Sequence, residues 1–184
     1  MEAAAAVAGL PDLAAIRAAH ARIAPYVHRT PVMTCGAIDM EVGAALYFKC
    51  EHLQKVGAFK ARGACNAVFS LDEAAAARGV VTHSSGNHGA ALAYAANKRG
   101  IPAYVVMPRN APKVKQANVE RFGAAVRLCE PNVAAREAAC DEVMRETGAT
   151  LIHPFDDARV IAGQATAVVE LLAAVPGLDA VIAP

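Results

Sequence analysis

The sequence predicts an α/β fold built on a parallel sheet, and three observations predict it. Short apolar runs alternate with longer helical patterns through most of the chain, the arrangement that gives βαβ units. The runs AYVVM and AVIA lack the polar alternation of a strand with one wet face, as expected for parallel strands covered on both sides. The 184 residues are 55% hydrophobic and rich in alanine but only 5% aromatic, which suits close-packed helix and sheet layers and excludes a disordered or fibrous protein.

Taken in order, Leu13, Ile16, Ile23 and Val27 recur at helical spacing over 12–26, with Asp12 as a candidate cap. Thr30 precedes Pro31, which disfavours helix, so 28–34 should run extended and a strand should follow at 45–50. Lys60 then opens a helical pattern carried by Ala64, Val68 and Leu71. Beyond it the alternation predicts strands at 79–82, 103–107, 125–128 and 150–153, and helices at 87–98, 112–121, 132–146 and 160–174. The run 180–183 reads as a last strand with no helix after it, so the chain reads as unfinished.

Net charge is +1, from 18 basic and 17 acidic residues. That leaves no electrostatic footprint for nucleic acid or an anionic membrane surface and points to small molecules as partners. The apolar start carries Glu2 and no basic region, and Glu170 and Pro176 interrupt the apolar tail, so neither a signal peptide nor a membrane span is read. Five scattered cysteines, none in a C-x-x-C pair, suggest no disulfide framework or zinc knuckle and fit a reducing, cytoplasmic setting. His20, His28 and His52 lack partners at metal-ligand spacing and read as surface or packing residues. The charges from Arg136 to Glu146 read as a solvated helix face.

Two segments carry chemistry. The run His83-Ser84-Ser85-Gly86-Asn87-His88 lies where a strand ends and a helix begins, the place where ligands collect in parallel sheets. Its hydroxyls, amide, imidazole and backbone N–H groups suit an anion, although the same residues also suit a plain capped turn. Lys60, after Phe59, is either a surface lysine or a nucleophilic amine whose pKa is lowered by burial or by the nearby cations Lys55 and Arg62.

The runs QKVGAFKARGA (54–64) and HSSGNHGAALA (83–93), with HPFDD and VIAGQ inside 153–164, resemble three segments of the fold-type-II pyridoxal-phosphate enzymes, in the same order and spacing. The resemblance covers the chain from Arg29 onward and is nearest to the serine racemase and serine/threonine dehydratase group. It implies pyridoxal 5'-phosphate held as a Schiff base on Lys60, with Phe59 beside the ring and Asn87 bonding its 3-oxygen. Ser84, Ser85, Asn87 and His88 would meet the substrate, an L-serine, L-threonine or D-serine. Lys60 would move the α-proton on one face and Ser85 on the other; many threonine dehydratases carry alanine at that second serine.

Ala90, Ala165 and Val56 depart from the group's usual glutamine, glycine and hydroxyl residue. Of the positions Cys35, Gly36, Lys55 and Val56, which match a nucleotide site in animal racemases, three lack the expected hydroxyl, so nucleotide regulation is not implied. The resemblance also implies a complete small domain at 79–157, an incomplete large domain at 1–78 and 158–184, and a homodimer in the full form. A glycine-rich phosphate loop and a divalent-cation site belong to the part of the family that follows Pro184. The rival readings are a threonine dehydratase without racemase activity and an inert fragment serving as a binding or dimerisation module.

Overall fold

A computed structural model describes residues 9–84 and 86–183. The chain opens with α1 (Leu13–Ile23), whose N-terminus is capped by Asp12, its carboxylate accepting from Ala15 N at 2.7 Å. β1 (Val32–Met33) and β2 (Phe48–Lys49) form a short antiparallel pair with α2 (Gly36–Val42) between them. A 3₁₀ turn, Lys55–Gly57, then swings the chain into α3 (Lys60–Phe69). Val56 there has φ 57°, so a β-branched side chain sits in the left-handed region and holds local strain.

After α4 (Glu73–Arg78) the predicted alternation follows: β3 (Val80–His83), α5 (Asn87–Arg99), β4 (Ala103–Pro108), α6 (Lys113–Glu120), β5 (Ala125–Cys129), α7 (Val133–Thr147) and β6 (Thr150–Leu151). The four strands are parallel in the order β5-β4-β3-β6. α8 (Ala158–Ala174) is the last element.

Strand geometry sorts the core into two layers, because successive side chains point to opposite faces. Val80, Val105 and Met107 join Ala91, Leu92 and Ala95 of α5 in one cluster, while Val81 and Val106 join Cys140 and Val143 of α7 in the other. The larger cluster runs on through Ala64 and Val68 of α3 to Ile23 of α1, so α3 is sandwiched and Ala61 through Val68 are all buried.

The predicted strand at 180–183 is a correction: those residues form no strand, and Ile182 is 94% exposed. A lone extended segment has no neighbour for its N–H and C=O groups, and no described strand pairs with it. α2 and α4 went unread in the sequence; α2 buries none of its residues, so it shows no apolar stripe.

Candidate functional site

Both chemical segments open helices. α3 begins at Lys60, with Phe59 as a cap residue that offers no side-chain acceptor. Three of its first-turn N–H groups nonetheless have partners: Ala61 N donates to Ala58 O at 3.2 Å, Arg62 N to Phe59 O at 3.0 Å, and Gly63 N to Gln164 Oε1 of α8 at 3.2 Å.

Lys60 is half-buried. Its Nζ donates to Pro154 O at 3.0 Å and lies 5.0 Å from the centre of the Phe59 ring. Burial pushes the Lys60 amine below the ordinary lysine range, enlarging its neutral, nucleophilic fraction. The expectation that Lys55 and Arg62 would do this is corrected, since burial is the cause. Arg62 is fully buried and engaged elsewhere: it donates to Glu51 at 2.8 Å through both Nε and Nη2, and to Glu170 at 2.8 and 2.9 Å. Burial alone would lower the Arg62 pKa, but those carboxylates hold it above the usual arginine value. Lys49 closes the cluster with Nζ 2.6 Å from Glu170 Oε2, and the pKa of Glu170, which burial would raise, is held down by Arg62 and Lys49.

A cavity of about 600 Å³ opens beside the amine, lined by Phe59, Lys60, Glu51, Gln164, Val168 and Ile182 among others. Ser84, Asn87 and His88 do not line it. They sit at the start of α5, where Gly86 is the cap residue without a side-chain bond and its own N–H goes to Ser84 Oγ at 3.2 Å. A Cβ added to Gly86 would meet nothing within 4 Å, so a ligand can approach the backbone there. Asn87 is exposed, and Ser85 lies outside the described residues.

His88 is 3% exposed and faces inward: Nε2 donates to Ile152 O at 3.4 Å, and the buried Nδ1 has no partner among the described residues. Burial depresses its pKa to about 4, with Lys60, His153 and His83 adding to the effect against the Ile152 bond. The imidazole is therefore neutral and turned into the protein.

The segment 152–154 joins the two helix starts, because Ile152 O receives His88 and Pro154 O receives Lys60. His153 between them packs edge-on against His83 at 5.4 Å and against Phe155 at 4.5 Å. The His83 pKa is lowered by burial first and then by His153.

Glu51, Glu170 and Gln164 were missed as parts of this arrangement. A carboxylate inside the apolar run AVVELLAA was the available signal for Glu170, since a lone charge on a buried helix face needs a partner. His20, read as a surface or packing residue, stands 3.5 Å from that same carboxylate.

The residues present fit the reactive end of pyridoxal phosphate: a buried amine of lowered pKa, a flanking aromatic ring and an open cavity. Among the described residues no group of His, Cys, Asp and Glu is placed to hold a metal ion.

Residues 23–184 match the family described as pyridoxal-phosphate dependent enzyme. A serine racemase of Arabidopsis thaliana is 54% identical over 173 residues, covering 94% of this chain and 52% of that protein. A beta-hydroxyaspartate dehydratase of Paracoccus denitrificans is 53% identical over 175 residues, covering 95% and 56%. The structure of maize serine racemase aligns with a TM-score of 0.90 at 54% identity, over 91% of this chain and 51% of that one. The chain spans about half the length of the curated relatives it matches.

Proposed function

This chain belongs to the pyridoxal-phosphate dependent enzymes, and from that premise we propose that its protein racemises or dehydrates a small hydroxy amino acid, with L-serine, L-threonine or D-serine as substrate class. The observation that carries the reading is the Lys60 amine, half-buried, lowered in pKa and held on Pro154 O beside Phe59 at a cavity.

When bound, the cofactor supplies an electron sink for the pair left as the substrate's Cα–H bond breaks. The chain's residues supply the rest. Phe59 would pack beside the ring and Asn87 would hold its 3-oxygen. Ser84, Ser85, Asn87 and the His88 N–H would receive the substrate carboxylate, which a helix N-terminus favours. Lys60 takes or returns the α-proton on one face, and its lowered pKa suits it to both directions. Ser85 does so on the other. A serine there also permits loss of the β-hydroxyl, so racemase and dehydratase products can share one site.

The beta-hydroxyaspartate dehydratase relative favours a second reading, elimination from an acidic hydroxy amino acid without racemisation. The division into 79–157 and 1–78 with 158–184 is proposed with a core that continues across it, since α3 and α5 share one cluster. Family resemblance supports a homodimer in the full protein and a divalent cation bound outside this chain. No described helix is long and apolar enough to cross a membrane, and the cysteine pattern supports a cytoplasmic setting.

The test is made on the full protein with added cofactor. Lys60→Ala should abolish the cofactor's absorbance band near the visible edge together with both products. Ser85→Ala should remove D-serine formation from L-serine, roughly a hundredfold or more for a positioned acid/base group, and leave pyruvate. An unchanged product ratio would remove Ser85 from the mechanism, and an unchanged band in Lys60→Ala would sink the reading.

A further inference from the structure

α3 and α8 approach backbone to backbone at Gly63 and Gly163. A Cβ on Gly163 would lie 2.6 Å from Arg62 O and 2.6 Å from Gly63 Cα, and one on Gly63 would lie 2.6 Å from the Gln164 amide nitrogen. The Gln164 side chain is thereby laid directly on the first turn of α3. Its Oε1 accepts the Gly63 N–H across 101 residues of sequence, in a turn whose own cap residue, Phe59, supplies no side-chain acceptor. Helix starts leave such N–H groups open, and a side-chain acceptor from the local cap residue usually takes one of them.

We propose that Gln164 is a positioning residue for Lys60, capping α3 from α8 so that the amine is aimed across the cavity. The inference rests on the reading of Lys60 as the cofactor lysine. Three neighbouring features agree with it. Lys60 Nζ is held at Pro154 O, on the segment leading into α8. Asn66, one turn further along α3, donates to Arg159 O of α8 at 2.7 Å. Gln164 also lines the cavity that Lys60 lines. α8 and its leading segment therefore grip α3 at its start, its lysine and its middle, and the cap is the contact made to the backbone of the amine's own turn. The charged and titratable groups around that amine are Lys49, Glu51 and His52 in the cavity wall, with His88 on Ile152 O of the segment that holds the amine.

The test uses the full protein with Gln164→Met, which keeps side-chain length and removes the acceptor. Asn66→Ala, which cuts a different bond between the same helices, is the comparison. The pKa of Lys60 is read without cofactor, from competitive acetylation across pH followed by mass spectrometry, and kcat and KM are measured on the loaded enzyme. Gln164→Met should move the Lys60 pKa up toward the ordinary lysine range and lower kcat about tenfold or more, as small misplacements of a reacting group do, with KM changed far less. Asn66→Ala should lower the melting temperature and move neither. In the wild type, hydrogen exchange at the Gly63 amide should be slow. A Gln164→Met protein that behaves as Asn66→Ala does, or a Gly63 amide that exchanges as fast as an unbonded one, overturns the proposal. Acetylation needs no cofactor, so a protein that proves inactive fails the functional reading and still reports on Gln164.

Discussion

The two helix starts that carry the chemistry are finished in opposite ways. At α3 the N–H groups of Ala61, Arg62 and Gly63 end on Ala58, Phe59 and Gln164, and the lysine side chain ends on Pro154. At α5 the cap residue is a glycine with open space above it, and the first residue, Asn87, is exposed. One start is packed against α8, and the other carries a glycine cap facing open space. The difference teaches that position at a helix start does not by itself define a binding site. What matters is which N–H groups the fold has already satisfied.

The comparison breaks most visibly at Arg62. Arg62→Met should lower stability by about 3–5 kcal/mol, the usual effect of removing one partner from a buried ion cluster, because Glu170 would stay buried with only Lys49 and the more distant His20 near it. Urea denaturation monitored by circular dichroism measures this, and a loss below about 1 kcal/mol would show the closed end to be less dependent on its charges than its geometry implies.

A smaller effect belongs to His88, the hinge between the two ends. Its folded pKa, about 4, lies below the ordinary 6.5, so between those values the unfolded chain binds more protons and stability falls as pH falls, by at most about 1.4 kcal/mol per pH unit. Below the folded value the slope from this group ends. His88→Gln should flatten that limb of the curve of melting temperature against pH, and a limb of unchanged steepness would assign the slope to other groups.

The open end should respond least in stability. Asn87→Ala should change unfolding free energy by no more than about 0.5 kcal/mol, as expected at an exposed helix start, while weakening cofactor binding about tenfold, the equivalent of one hydrogen bond to a ligand. Calorimetry and a spectral titration would read the two separately, and a loss confined to stability would make α5 as closed as α3.

Much of this was legible in the sequence. The β–α alternation announced the parallel sheet, since uninterrupted apolar runs such as 103–107 are what a strand buried on both faces requires. Lys60 and Asn87 were legible as the first residues of two helices. The Gln164 cap was not, because a bond across 101 residues leaves no local pattern. Arg62 was misread because sequence proximity to Lys60 suggested a cation acting on an amine, whereas the helix turns its guanidinium to Glu51 and Glu170. The run at 180–183 looked like a strand because composition reports preference for a buried extended segment and cannot report whether a neighbour is there to pair with it.

The grip of α8 on α3 also sets a schedule. Lys60 meets Pro154 across 94 residues, Gly63 meets Gln164 across 101, and Arg62 meets Glu170 across 108, while the sheet between them is built from shorter links. Contacts so distant in sequence form slowly, although the closure entropy itself grows only by about 0.6 kcal/mol for each doubling of the loop. On the ribosome the helix bearing the lysine is made first and must wait for α8 to be translated, with Arg62 lacking one of its two carboxylates throughout. The nascent protein carries the proposed cofactor lysine well before the residue proposed to aim it.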